Sequence, residues 1–590
     1  MAIENLITDH LDLWTAAVRP KSSAGRGSNS KLELTGIKNL RELILELAVR
    51  GKLVPQDPND EPASVLLERI AAEKTRLVKE GKIKKPKALP EISEEEKRFE
   101  LPEGWEWGCL GDIVAIIRGI TFPASEKHHE PSEERIACLR TANVQDKIEW
   151  DDLLYVKTSF VKRLEQRAEV GDIVMSMANS KELVGKVAYI EKIPSGSATF
   201  GGFLSVIRPY EIDASFLMTV LRAPQTRSVL IDSSSQTTNI ANISLEKLNP
   251  LVIAIPPLPE QHRIVAKVDE LMALCDELEL RSESQLAAHQ TLVETLLATL
   301  TDSCDADELA QNWARLSTHF DTLFTTEASI DALKQTILQL AVMGKLIPQD
   351  PSDEPASALL ERIAAEKARL VKEKKIKKEK PLPAISEDEV PFALPQGWAC
   401  CRISDLGYDL GGGTPSKTKS KYWNGNIPWV SPKDMKVDFI SSSTDYVTED
   451  AISETVIKLI PSNSLLMVVR GMILAHSFPV ALTMAPVAIN QDMKALVFSE
   501  INEVYLLTLM KAARERVVSM VEHSSHGTCK LVSEKLWSMV VCIPPKEEQL
   551  RIIKTVDTLM AICDQLKSRL QTSQQTQLAL AESLAEGALA

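Results

Sequence analysis

Aromatic residues are scarce in this chain, 5% of its 590 positions, and no run of eighteen apolar residues occurs anywhere. The second absence excludes a helix that spans a membrane. The amino terminus, MAIENLITDHLDLW, has no basic region followed by an apolar run, so no secretory signal is expected and the cytoplasm is the expected compartment. The nine cysteines show no paired-ligand spacing; Cys400 and Cys401 are adjacent and the rest are scattered. That pattern predicts reduced, mostly buried thiols rather than disulfides or a zinc site.

Reacting groups are missing too. The stretch Gly411-Gly412-Gly413-Thr414-Pro415-Ser416-Lys417 is glycine-rich but lacks the spacing of a phosphate-cradling loop, and reads as a flexible loop. Asn249-Pro250 is not followed by the second proline and aromatic of an amino-methylating motif, and no glycine-rich strand-to-helix turn suggests S-adenosylmethionine binding. His128-His129, and His523 with His526, do not make a metal triad, and no nucleophile elbow is present. Catalysis, if any, is expected of partners. The formal charge of -14 argues on average against a nucleic-acid binder. The acids concentrate in helical repeats, however, whereas Arg118, Arg140, Lys181, Lys417, Lys433 and Arg470 lie outside them. By charge alone those cations read as a solvated surface.

What the chain has is a duplication. Residues 51–85, GKLVPQDPNDEPASVLLERIAAEKTRLVKEGKIKK, recur at 344–378 with five substitutions, and residues 255–281 match 543–569. Between these repeats lie two dissimilar stretches of about 150 residues, so a constant frame presents two different heads. Leu40, Leu43, Ile44 and Leu47, then Val65, Leu66, Ile70 and Leu77, fall at helical spacing either side of PQDPNDEP and predict a helix hairpin. Gly51 stops its first helix and Pro62 starts its second, with a twin from Ile330 to about Lys375. Basic runs at 79–87 and 372–380 follow as solvated helix ends and linkers.

Within the heads the period shifts towards two. Residues 171–177, 204–209, 464–471 and 493–498 read as short strands. Each head ends in Ile-Pro-Pro and a long helix, at about 260–300 and 546–589. Ile264, Val268, Leu271, Cys275 and Leu278 in the first, and Ile552, Val556, Leu559, Cys563, Leu566 and Leu570 in the second, take alternating steps of four and three, the spacing of a coiled-coil seam or of an ordinary bundle.

Leu101-Pro102-Glu103-Gly104-Trp105 with Leu394-Pro395-Gln396-Gly397-Trp398, and Ile255-Pro256-Pro257 and Gln261 with Ile543-Pro544-Pro545 and Gln549, closely resemble the specificity subunit of Type I restriction-modification enzymes. The likeness covers almost the whole chain, and the long amino-terminal repeat is similar to the Type IB-like subgroup. The resemblance implies an α+β fold in which two mixed α/β target recognition domains alternate with helical regions that form a long antiparallel coiled-coil spacer in a pseudo-twofold arrangement. The implied segments are a helical scaffold at 1–100, recognition domains at 101–258 and 394–545, a central helical region at 259–393 and a final scaffold helix at 546–590. Each recognition domain would read half of a split DNA site. Two methylation subunits and two restriction subunits that translocate DNA would dock on the frame. S-adenosylmethionine, ATP and Mg2+ would bind to those partners and no cofactor to this chain.

Base readout needs amides, hydroxyls and cations in polar loops beside strands. The candidates are Arg118, Arg140, Thr141, Asn143, Asn179, Ser180, Lys181, Gln236 and Asn239 in the first head. In the second they are Thr414, Ser416, Lys417, Lys433, Asp434, Arg470, His476, Asn490, Gln491, His526 and Lys530. Two other readings stay open: a coiled-coil scaffold whose heads bind peptides, and a free-standing modification enzyme, which would need a donor site that the sequence does not show.

Overall fold

The structure, a computed structural model, describes residues 3–20, 32–81, 83, 88–180, 183–232, 234–236, 241–378, 382–523 and 528–589. The chain forms two compact units. Unit 1 comprises residues up to Pro20, Leu32–Glu283 and the residues from Gln574 on; unit 2 comprises Ser284–Ser573. The five expected segments are thus regrouped. Each unit holds a helix hairpin, a mixed domain and the first part of the long helix that follows it, together with the last part of the other long helix. Among the described residues no helix is long and apolar enough to cross a membrane.

The hairpins are Thr35–Val49 with Ala63–Lys79 in unit 1, and Glu327–Val342 with Ala356–Lys372 in unit 2. Leu40, Leu43, Ile44, Leu47, Leu66 and Ile70 are buried as their spacing predicts. Val65 is 39% exposed, because Ala63, Leu66 and Ile70 already fill the buried stripe and Val65 falls outside it. The first hairpin helix of each unit ends at a left-handed glycine, Gly51 (φ 68°) or Gly344 (φ 69°). A Cβ on Gly51 would stand 2.4 Å from Pro102 Cγ, so the turn can press against the proline and Trp105 only without a side chain.

The long helices are Leu258–Asp302 and Lys546–Leu589, the first of 45 residues, or about 67 Å at 1.5 Å per residue. In unit 2 the stripe of the second long helix and the last part of the first share their core with further helices. Val293, Leu297 and Leu300 share one core with Leu559, Met560, Cys563, Leu566 and Leu570, and also with Leu316, Leu323, Phe324, Ile330, Leu333 and Ile337. Part of that core comes from a helix absent from the sequence expectation, Ala306–Thr318, whose N-cap Asp305 accepts from Glu308 N at 2.8 Å.

The two mixed domains share one topology despite their dissimilar sequences. Each closes on an antiparallel pair, Glu106–Cys109 with Val252–Ile255, or Ala399–Arg402 with Val540–Ile543. The central sheets run in the order Val114–Arg118, Leu204–Pro209, Ile173–Ser176, Val187–Tyr189 and Gly407–Gly411, Met493–Phe498, Leu465–Val468, Val480–Thr483, the second extended by Phe439–Ile440. A second sheet in each is built on a parallel pair, Ala198–Phe200 with Arg135–Leu139 or Ala488–Ile489 with Trp423–Val430. One cysteine expectation is corrected here: Cys400 and Cys542 face each other in the closing pair and form a disulfide, Cα to Cα 4.0 Å. Their separation of 142 positions hides this register from the sequence. The other seven cysteines are free, and all but Cys304 are buried.

Each long helix begins at a buried carboxylate. Glu260 accepts from Trp105 Nε1 at 3.0 Å and from Gln56 Nε2 at 3.1 Å; Glu548 accepts from Trp398 Nε1 at 3.1 Å and from Gln349 Nε2 at 3.4 Å. The next residue completes the joint. Gln261 donates to Pro256 O and accepts from Asp213 N, the N-cap of helix Ala214–Arg222; Gln549 does the same with Pro544 O and Asn502 N, the N-cap of helix Glu503–Ala512. One turn later Arg263 pairs with Asp60 at 2.7 Å, and Arg551 pairs with Asp353. Hairpin, domain opening, domain helix and long helix are thereby tied at one point in each unit.

The far ends are tied as well. Lys52 Nζ donates to Leu589 O at 3.0 Å, and its twin Lys345 donates to Thr301 O at 2.6 Å and Ser303 O at 2.9 Å, so a cation meets the exposed carbonyls at the end of each long helix. Between the ends, the two frames carry different charges. In unit 1 Arg41 pairs with Asp276 at 2.7 Å and Glu279 at 2.6 Å. In unit 2 Lys334 pairs with Asp564, and Lys567 with Asp331 at 3.1 Å and Glu327 at 3.3 Å. The internal repeats align Lys38 with Asp331 and Glu279 with Lys567, so the sign is exchanged at both positions. A hairpin packed on the wrong long helix would oppose like charges.

Three outcomes follow from these joints and frame charges. Trp105→Phe removes one donor from a buried carboxylate and lowers unfolding stability by about 1–3 kcal/mol in urea titration. Burial raises the Glu260 carboxyl above its ordinary range, so its contribution is present below the unfolded value and is lost as pH rises through the folded one. Glu260→Gln, which does not titrate, is less stable than the parent at low pH, and the gap narrows across that window. Lys567→Glu lowers the melting stability by about 1 kcal/mol, and adding Asp331→Lys recovers most of the loss; an unchanged melting curve for the single variant would show that the charge exchange has no energetic role.

Candidate nucleic-acid interface

In the first domain the end of strand Val114–Arg118, the turn after Phe200, the turn after Leu139 and strand Ala241–Asn242 surround a cleft of about 870 Å³. Arg118, Lys127, Arg140, Thr141, Phe203 and Asn242 are among its lining residues. Arg118 is exposed, and its side chain has no partner among the described residues. Arg140 donates to Asp152 O at 2.9 Å and pairs with the Asp152 carboxylate, which fixes its guanidinium at the cleft. Thr141 also lines a smaller neighbouring cavity of about 250 Å³ together with Asn179 and Lys186.

Other candidates hold turns. Asn143 is 2% exposed; its Oδ1 accepts from Arg140 N at 2.9 Å, and its Nδ2 donates to Glu149 O and Asp152 O, both at 3.0 Å. Asn179 Oδ1 accepts from Ser180 N, and Ser180 O accepts from Leu183 N and Val184 N. Gln236 belongs to strand Ser235–Gln236, paired with Ala241–Asn242. Lys181, Asn239 and His526 lie outside the described residues.

In the second domain Thr414 donates its hydroxyl to Gln491 Oε1, joining two candidates that are 77 positions apart. Arg470 and Lys530 form a bridge at the edge of the ribbon Val521–His523 with Cys529–Leu531, and both side chains are exposed. Lys417, Lys433 and His476 are exposed as well, and Ser416 Oγ shares a hydrogen bond with Thr418 at 2.8 Å. Asp434 is used as Asn143 is. Burial alone would raise its carboxyl, but hydrogen bonds from Thr444 and Ser431 outweigh that and hold it below the ordinary range. Asn490 is 6% exposed and closes its turn by accepting from Asp492 N at 3.0 Å.

Backbone registers make the two rims equivalent. Met177 N donates to Phe203 O and Ile243 N to Met177 O; Val469 N donates to Asp492 O and Leu531 N to Val469 O. Asn242 and Lys530 therefore occupy one place, Phe203 and Asp492 another, and Asn143 and Asp434 a third. The structure brings Arg118, Arg140 and Thr141 to one cleft, pairs Thr414 with Gln491, sets Arg470 and Lys530 side by side through their backbones, buries Asn143 and Asn490, and ties Asp434 to its own turn. Sequence reasoning missed Lys127, Asn242 and Phe203. Asn242 lies in the polar run already suspected, whereas Phe203 in GGFLSVI reads as core.

The profile of the family described as "Type I restriction modification DNA specificity domain" matches residues 102–288 and 395–573. The Type I restriction enzyme EcoEI specificity subunit of Escherichia coli is 43% identical over 619 aligned residues, covering 100% of both chains. The EcoAI specificity subunit of Escherichia coli is 43% identical over 612, again covering both completely. Among solved structures, a chain from one described as "Structural basis underlying complex assembly and conformational transition of the type I R-M system" is 16% identical, with a TM-score of 0.47, over 83% of this chain and 99% of that one. The HsdS subunit from Thermoanaerobacter tengcongensis is 16% identical, with a TM-score of 0.37, over 84% and 98%. On the profile and the two full-length relatives, the chain belongs to the specificity subunits of Type I restriction enzymes.

Proposed function

We propose that this subunit reads a split, asymmetric DNA site, one half-site per mixed domain, and itself makes no covalent change. The observation that carries the reading is the pairing of one topology with two different polar rims: the rim presents Arg118, Arg140 and Thr141 in one domain and, from other turns of the same topology, Gln491, Arg470 and Lys530 in the other. Cations supply contacts to phosphates, while amides and hydroxyls supply base readout. A net charge of -14 does not oppose this, since over a Debye length of about 10 Å the rim cations act locally. The long helices act as rulers for an unread spacer; about 67 Å corresponds to roughly two turns of B-DNA. Two methylation subunits dock on the repeated frames and two restriction subunits join them in the bacterial cytoplasm. S-adenosylmethionine, ATP and Mg2+ bind to those partners.

Single-molecule methylation mapping of DNA from cells that express this chain with its methylation subunit is expected to show a split motif with methylated adenines, absent when either is omitted. Exchanging residues 101–250 with those of a relative changes one half-site and leaves the other; a change in both halves would refute independent heads. Replacing Arg470 and Lys530 together by Ala weakens binding across sequences and flattens the log affinity against log salt slope by about one to two.

A further inference from the structure

We propose that Phe203 recognises a thymine through its 5-methyl group, so that the half-site read by the first domain contains a T·A pair facing the Gly201-Gly202-Phe203 turn. This rests on the DNA-reading function proposed above and assigns one residue of it a base.

Phe203 is 70% exposed; among the described residues the other exposed Phe and Trp side chains are Phe439 at 48% and Trp313 at 43%. Exposure of a phenylalanine forfeits the burial that normally draws it inward, and its neighbour Leu204 is fully buried. The turn is not loose. Gly201 N donates to Leu139 O at 2.9 Å, Leu204 N to Gly201 O at 2.8 Å, and Met177 N to Phe203 O at 2.9 Å. A Cβ on Gly202 would lie 3.1 Å from Thr121 Cγ2, so the backbone is packed against its neighbour. The ring is therefore held out by a fixed mount.

Its surroundings fit the edge of a base pair. Phe203 lines the 870 Å³ cleft beside Ile120, Met177 and Ile243, an apolar wall, with Arg118 and Arg140 also on the lining. Cations suit phosphates and base acceptors, and an apolar wall suits the one apolar group on a base edge, the thymine methyl in the major groove. The second domain supplies the contrast. There the same backbone place belongs to Asp492, preceded by Gln491, which Thr414 holds. The aromatic ring thus belongs to one head and not to the shared topology.

The test uses the complex of this subunit with its methylation subunits and duplexes carrying its mapped site, with each thymine of the first half-site replaced in turn by deoxyuridine. One replacement is expected to weaken binding about fourfold, the worth of one buried methyl converted at RT. Phe203→Ala loses the same factor on the thymine duplex and no longer distinguishes thymine from uracil, while still responding normally to changes in the second half-site. The proposal is overturned by a first half-site without a T·A pair, by wild-type binding indifferent to every replacement, or by a Phe203→Ala complex that still discriminates. Should that variant not fold, the wild-type replacement series decides alone. A complex that ignores the mapped site altogether refutes the DNA-reading function instead.

Discussion

A buried glutamate at the head of each long helix is the joint on which the other elements converge. Glu260 and Glu548 are each 1% exposed, and a carboxylate in that setting is tolerable only if donors surround it. The donors come from separate parts of the chain: the indole of Trp105 or Trp398 at the opening of the mixed domain, and the amide of Gln56 or Gln349 from the hairpin connection. The adjoining Gln261 or Gln549 then grips a proline carbonyl behind it and the N-cap of a domain helix ahead. Because these donors come from separate elements, hydrogen bonding as well as apolar packing helps to set the angle at which the domain leaves its frame. That is a property a reading head requires.

Near-identical frames create a second problem, since each hairpin could accept either long helix on shape alone. The exchange of sign between Glu279, which meets Arg41, and Lys567, which meets Asp331 and Glu327, answers it with electrostatics at the partly exposed edge of the packing. Such pairs add little to stability, but they penalise the wrong pairing. The lysines that meet the helix ends, Lys52 and Lys345, need no such distinction and are the same in both units.

The rims show how one topology carries two different surfaces. Residues that shape the turns are chemically alike in both domains: Asn143 and Asp434 accept from the backbone at the same place and are consumed by it. Residues at the surface differ, with Arg118 and Phe203 against Gly411 and Asp492. The turn is conserved by hydrogen-bond need, and the surface is free to vary because nothing inside depends on it.

Periodicity and repetition were enough to read the hairpins, the four strands at 171–177, 204–209, 464–471 and 493–498, both long helices and the duplicated frame, because burial imposes a regular spacing on apolar residues. Sequence also located Trp105, Trp398, Gln261 and Gln549 as the most specific positions, without showing that Glu260 and Glu548 join them. Only tertiary structure decided the partners: the Cys400–Cys542 bond across 142 positions, the bundle that takes up the second helix's heptad stripe, and the use of Asn143, Asp434 and Asn490 within their own turns. The physical reason is common to all three. A side chain's polarity is local and legible, but whether it meets solvent, backbone or a distant strand depends on register and packing set by residues far away in the chain.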